Sequence, residues 1–385
     1  MPPSLYPDTA TAEPEARAWP LVALGVLILG LAVLAGAQGA TLRVPLLAMV
    51  GVGLGFVLFQ STFGFAGSFR AVLERGDASG FKAQAVALAV ASVIFFPLLG
   101  MGQVFGQSLG GFGAGIGVTF LVGAVLFGVG IQIGGGCASG TLFALGGGNL
   151  RLVMTLVFFV IGSAAGAATL HLWWGLPRFP AWTSQGILGW PLALAVHLAI
   201  FAAVWRFAPG RSPALLPRSG GWLGPWSLMS GAVGLALLNG ATLIIAGRPW
   251  GETAGFALWG SKWALWAGFD VANWPYWRGN PRPLSASVFA AITSVMDFGI
   301  ILGAALAAVV SGRFVLQYRV PPQAWAGAAI GGFLMGYGAR LSGGCNIGAY
   351  FSALASGSVS AWAWVAAAFV GSWIGLRFRQ VLWLD

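Results

Sequence analysis

The sequence predicts an all-α polytopic membrane protein of about ten spans. It is read as two inverted repeats whose glycine-rich, re-entrant or broken helices meet near the midplane. Three observations predict this. The 385 residues are 58% hydrophobic and 7% charged, with mean hydropathy +0.86, whereas soluble domains carry about 25% charged residues. Apolar runs of span length recur along the chain. The only two cysteines lie in two glycine-rich stretches, Gly134-Gly135-Gly136-Cys137-Ala138-Ser139-Gly140 and Ser342-Gly343-Gly344-Cys345-Asn346-Ile347-Gly348. Each stretch follows one apolar run and precedes another. So many glycines make continued helix costly, and unwound backbone survives at membrane depth only when buried in protein or lining a polar cavity.

Apolar runs fall near 19–37, 44–67, 82–99, 116–131, 150–170, 188–205, 224–247, 285–310, 324–340 and 359–376. A span needs ~20 residues. The fourth and ninth are short and run into the cysteine stretches, which points to discontinuous helices. Gly146-Gly147-Gly148-Asn149 is expected to close the first hairpin and Ser356-Gly357-Ser358 the second. The N-terminal stretch 1–18 is Pro-rich and acidic and lacks the basic start of a signal peptide, so none is read. The acid-free loops with Arg206, Arg211 and Arg218, and with Arg313 and Arg319, are placed in the cytoplasm, as is the tail with Arg377 and Arg379. Both termini then lie in the cytoplasm. The segment 250–284 falls outside, its Trp259, Trp263, Trp266, Trp274 and Trp277 suiting a headgroup belt.

The net charge of +10 comes from arginines scattered singly between apolar runs. That pattern sets orientation and excludes a nucleic-acid patch. Two cysteines make no disulfide framework, and neither a metal cluster nor any cofactor motif is read. Nothing resembles a nucleotide-binding loop.

Placing Cys137 on Cys345 gives an offset of 345 − 137 = 208. Gly123, Gly128, Gly130, Gly135, Gly136, Gly140 and Phe143 then fall on Gly331, Gly336, Gly338, Gly343, Gly344, Gly348 and Phe351. Upstream, an offset of 180 places Gly51, Leu58 and Thr62 on Gly231, Leu238 and Thr242. The resulting division is a tail 1–18, an extra first span 19–43, unit one 44–170, a linking span and cytoplasmic loop 171–223, unit two 224–377 and a tail 378–385. The odd number of spans between unit starts inverts the second unit, and inverted repeats place a solute site at their midplane interface.

With its two Gly-Gly-Cys loops, their separation and the Gln60–Arg70 stretch, the chain resembles the YeeE/YedE family of sulfur-transport membrane proteins, which includes the thiosulfate permeases. The resemblance covers 44–377. It implies an hourglass fold with central cysteines that relay thiosulfate by S–H···S contacts, in the bacterial plasma (inner) membrane. It also implies a small TusA-like sulfurtransferase as cytoplasmic partner. Cys137 and Cys345 match the family's two loop cysteines. Its third cysteine is replaced by Gly64 in Phe63-Gly64-Phe65-Ala66-Gly67, which leaves open another substrate: a seleno-compound, or sulfide and persulfide. A membrane subunit that hands sulfur to a cytoplasmic sulfurtransferase is the third reading.

The expected path runs past Cys137 and Cys345, with Gly135, Gly136, Gly343 and Gly344 exposing backbone N–H groups to an anion. Broken helices aim their positive N-terminal ends at the same point. A thiol is a weak donor suited to a polarisable sulfur, and conduction requires weak serial sites. The blander alternative is two small buried hydrophobes. No histidine or carboxylate neighbours either cysteine in sequence, so a catalytic thiolate is not expected and no catalytic residue is assigned. Asn346 and Ser139 are expected to line the path, or to cap the broken helices. Gln60 and Thr62 are placed at its cytoplasmic end, or serve as ordinary helix-end polarity. Arg340 is either a cavity cation or a snorkelling one. Asp297 is expected in a buried salt bridge with Lys262 or an arginine, a proton site being the alternative. His197 is read as a packing histidine.

Overall fold

The computed structural model describes residues 42–211 and 224–381, with isolated positions at 23, 25 and 30. Apart from those isolated positions, the expected first span at 19–37, and with it the tail 1–18, the loop around Arg218 and the final residues to Asp385, lie outside the described residues. The helices used below are α1 (Arg43–Ser61), α2 (Phe65–Arg75), α3 (Ser79–Met101), α4 (Val118–Gly134), α5 (Ala138–Gly146), α6 (Arg151–Thr169), α7 (Trp190–Phe207), α8 (Leu228–Ala246), α9 (Thr253–Trp266), α10 (Ile292–Val310), α11 (Pro322–Leu341) and α12 (Ser360–Val381). Strand is confined, among the described residues, to a two-residue hairpin at Gln103–Ser108. Among the described residues, eight helical segments are long and apolar enough to cross a membrane; α11 has span length but is richer in glycine. The architecture is an all-α polytopic membrane protein.

Two sequence expectations need correction. The run 44–67 is not one helix. It ends at Thr62, held in the left-handed region at φ 48°, and α2 restarts beyond Gly64. Nor is 250–284 purely interfacial. Trp250 and Glu252 are fully buried, and α9 packs on α6, with Phe256 edge-on to Phe159 at 4.9 Å between centroids. Only its far end fits the belt: Trp266 is 92% exposed and Trp263 half so. Trp259 stacks on Phe298 and Trp277 donates to Ser261, both inside the fold. Apolar aromatic surface serves a lipid interface and a protein interior equally well, so composition could not separate the two.

Glycine sets the helix packing. Gly51 and Gly55 of α1 face the backbone of α10 at Met296 and Ile300, while Gly299 and Gly303 of α10 face Ala48 and Val52; a Cβ at any of the four would overlap main chain. The same device joins α6 to α11 through Gly162 and Gly336, and α4 to α12 through Gly128 and Gly371. Small residues let membrane helices approach closely where dispersion must drive association. The pairings exchange between the halves. Helix α1 packs along α10 and α8 along α3; α6 packs along α11 and α4 along α12. The helix starts keep the cysteine register, 346 − 138 = 208. The preceding helices coincide at 228 − 43 = 185 and 246 − 61 = 185, not at the glycine-based 180.

Loops gather on two opposite faces. On one, Gly110 N–H bonds Gly247 O, Phe112 N–H bonds Ser356 Oγ, Phe179 N–H bonds Ile116 O and Ser184 N–H bonds Gly357 O. On the other, Leu150 N–H bonds Gln317 O, Ala78 N–H bonds Pro209 O and Arg313 donates to Gln60 Oε1. Both hairpins close where expected, Asn149 beside Gln317 and Ser358 beside Thr183.

Candidate functional site

Each cysteine caps a broken helix. Glycines in left-handed backbone end the preceding segments, Gly135 at φ 88° and Gly343 at φ 73°. The carbonyls orphaned at the end of α4 find donors elsewhere: Arg151 on Ile133 O at 2.9 Å, Thr155 on Gly134 O at 3.0 Å and Arg379 on Gln132 O at 3.1 Å. A side chain at Gly135 would press on the Arg151 guanidinium, 3.2 Å from where its Cβ would stand. The chain then turns extended at Cys137, whose Sγ accepts from Gly140 N–H at 3.4 Å at the start of α5. Ser139 Oγ lies 3.4 Å from the same sulfur. In the second loop Ser342 Oγ donates to Gly338 O and Gly344 O. Cys345 Sγ accepts from Ile347 N–H at 3.4 Å and heads a π-helical segment, Asn346–Ser352. Gly344, at φ 157°, packs against Ala349 N. Gly136 lies against Thr141.

Both thiols are free and 1% exposed. They lie within electrostatic reach of each other and of Glu252. Four helix N-termini therefore converge, capped by Gly64 (α2), Cys137 (α5), Glu252 (α9) and Cys345. The Ala66 backbone, in the first turn of α2, lies close to Cys137, and Phe65 packs edge-on against Tyr350 and beside Phe351. Helix N-termini favour anions.

The surroundings contain polar atoms without partners. Asn346 is fully buried and neither its Nδ2 nor its Oδ1 is bonded; Thr141 Oγ1 and Glu252 Oε1 are likewise unpaired. Buried polar groups in folded proteins are normally satisfied, so these are places a solute would satisfy. Two cavities flank the cysteines. One of about 190 Å³ lies on the Gln60 face, lined by Thr62, Gly64, Gly67, Ser68 and Arg75. The other, about 110 Å³, lies on the face of the 102–117 loop, lined by Phe112, Ser342, Gly343, Gly348 and Ser360.

Among the residues singled out from sequence, Cys137, Cys345, Ser139, Gly136, Gly344 and Asn346 come together at the convergence. Gly343 and Thr62 line the two cavities. Gln60 is buried and spends its Oε1 on Arg313, whose guanidinium also covers Phe59. Arg340 is neither free nor snorkelling: it donates to Tyr276 Oη at 2.9 Å and Thr253 Oγ1 at 2.7 Å. Asp297 makes no salt bridge. Lys262 instead donates to the carbonyls of Leu284 and Ala286, and both Asp297 oxygens are buried without a hydrogen bond. Close packing against α9, where Asp297 Oδ2 sits against Gly255, leaves no room for a long basic side chain. His197 sits among Phe96, Phe201 and Trp362 and meets Ser184 Oγ at 3.2 Å, as a packing histidine.

Sequence reasoning missed Glu252. Cys345 Sγ donates to its Oε2 at 3.8 Å, so a carboxyl remote in sequence is adjacent in space. Its only signal was a lone acid between Arg248 and a tryptophan-rich run.

The family model described as sulphur transport matches residues 60–374. The chain belongs to the sulphur-transport family. Similar relatives include the thiosulfate transporter TsuA of Spirochaeta thermophila, 28% identical over 345 residues, covering 84% of this chain and 96% of the relative. TsuA of Escherichia coli is 25% identical over 355 residues, covering 85% and 89%. The probable transporter YedE of Escherichia coli is 29% identical over 153 residues, covering 40% and 38%. The YeeE/YedE resemblance thus holds, and this sulphur-transport family member is a multi-pass membrane transport protein.

Proposed function

We propose that this protein conducts thiosulfate, or a closely related sulfur-containing anion, into the cell across the bacterial plasma membrane. The observation that carries the reading is the convergence of four helix N-termini on two buried thiols, with a cavity on each side. The anion's outer sulfur accepts a weak hydrogen bond from each S–H in turn, the helix ends neutralise part of its charge, and Asn346 supplies an amide donor. Weak serial contacts let it leave as readily as it arrives. The near full-length similarity to proteins named thiosulfate transporters supports this substrate. The reading is of a carrier and not an enzyme.

The exchange of helix pairings between the halves supports inverted repeats over 44–170 and 224–377. The arginine loops support a cytoplasmic placement of the Gln60 face and of both termini. Family resemblance supports delivery to a TusA-like sulfurtransferase there. Gly64, where relatives carry a third thiol, favours the second reading, a seleno-compound or sulfide carrier. Uptake of labelled thiosulfate into cells lacking other sulfur importers tests the first. Selenite and sulfide as competitors test the second. Thiosulfate uptake that selenite and sulfide leave unaffected supports the first reading; no uptake above background refutes it.

A further inference from the structure

We infer that Glu252 is a proton-carrying site and that each anion crosses together with a proton held there. The inference rests on the thiosulfate reading and adds a second transported species to it.

Glu252 is fully buried and caps α9 at the point where the thiols converge. One carboxyl oxygen takes the Cys345 S–H, and the other has no partner. Asp297 lies within electrostatic reach of it, also fully buried, with neither oxygen bonded. Among the described residues, no cation is set against this pair. On the facing elements, Arg340 is committed to Thr253 and Tyr276, Lys262 to two carbonyls, and Arg43 to Ala246 O. The Arg248 side chain, at the end of α8, is exposed. From the cysteine loops the facing groups are Cys137, Cys345 and Tyr350, whose hydroxyl donates to Gln84 Oε1. Beside Cys345, Asn346 holds a buried amide with both atoms unbonded, which independently marks a place for a ligand.

A carboxylate taken out of water with no counter-charge is strongly disfavoured, and two such groups in reach of one another cannot both stay ionised. An anion arriving at Cys345 adds a further negative charge within the same low-dielectric volume. Glu252 must therefore be neutral when the anion is present. In the loaded state the protonated carboxyl is a poorer acceptor than a carboxylate, so the Cys345 S–H, which otherwise donates to Glu252 Oε2, is freed to donate to the substrate. On the exit side the anion leaves for water, and the proton returns to water from the carboxyl. The balance is one proton bound from the side of arrival and one released on the side of departure. Asp297 remains the neutral neighbour and touches no thiol.

The test uses the purified full chain in liposomes, with a pH-sensitive dye inside and labelled thiosulfate outside. Inward thiosulfate should acidify the lumen. The rate should rise as external pH falls, by up to about tenfold per unit, the slope of a single-proton requirement. Glu252→Gln, a neutral isostere, should still move thiosulfate, with a flat pH profile and no acidification. Asp297→Asn should keep both. Thiosulfate flux with a silent dye would overturn the proton site alone. So would acidification surviving in Glu252→Gln, loss of acidification in Asp297→Asn, or uptake driven by a sodium gradient in place of protons. Absence of any thiosulfate flux in the wild type overturns the substrate reading instead. If Glu252→Gln elutes aggregated, the wild-type dye response decides.

Discussion

At the scale of residues, each cysteine sulfur serves its own helix as a hydrogen-bond acceptor, through Gly140 N–H for Cys137 and Ile347 N–H for Cys345. Sulfur is a weak acceptor, so Cys137→Ala and Cys345→Ala should each cost about 1 kcal/mol or less as lost caps. Thiosulfate uptake should nevertheless fall by roughly tenfold or more, since one step of a serial path disappears. Uptake assays and detergent melting curves check both halves of that statement; normal transport by both variants would leave packing as the cysteines' only role. Gly64 is a different case. Its φ of −122° suits any residue, and a Cβ there finds nothing closer than 3.9 Å. Gly64→Cys should fold normally and change thiosulfate uptake less than about threefold, because it lines a partly open cavity with polar neighbours and not the buried constriction. A large gain would favour a different native substrate. The cysteines were legible in sequence because they are rare and sit in matching glycine loops. Glu252 was not legible. Its importance lies in burial beside Cys345, and no local pattern encodes a contact across 93 positions.

At the scale of elements, the frame depends on main-chain contact between α1 and α10. Gly303→Val puts branched carbons where the Val52 backbone lies. Overpacking of this kind typically costs ~1–3 kcal/mol, and a helix pair without slack should sit at the upper end. A drop in the melting temperature of the detergent-solubilised protein should reveal it. Gly67→Ala, with open space around it, should leave the melt unchanged. Most spans were readable because ~20 apolar residues have few other uses. The break at Thr62–Gly64 was not, since a single left-handed residue interrupts an apolar run without altering its composition. The insertion of α9 was missed because its tryptophans read as interfacial.

At the scale of the whole molecule, the loops around Pro209 and Asn280 belong to opposite faces: Pro209 O takes the Ala78 N–H beside the start of α3, and Asn280 lies between α9 and the start of α10. Reporter fusions at Pro209 and Asn280 should give opposite signals, with Pro209 cytoplasmic. Equal signals would sink the orientation and with it the inverted arrangement. Arginine bias is the sequence's ground for that expected placement. The proposed repeat rests in sequence on its glycines, and the helices it pairs first, α1 and α8, align five residues away from the register those glycines suggest, because close packing needs a glycine on the right face and not at a fixed place.

The capped sulfurs bear on how the protein would tell thiosulfate from sulfate, an anion of equal charge. With each sulfur already accepting from its own helix, what the thiol offers a would-be passenger is its hydrogen, which Cys345 must first withdraw from Glu252 Oε2. That hydrogen is a poor substitute for the water around a small, hard oxygen, but an adequate one for the loosely hydrated terminal sulfur of thiosulfate. Discrimination would then be a matter of dehydration: sulfate is turned away because nothing at the constriction repays the water it must shed, not because it is too large. A large excess of sulfate should accordingly leave thiosulfate uptake undiminished.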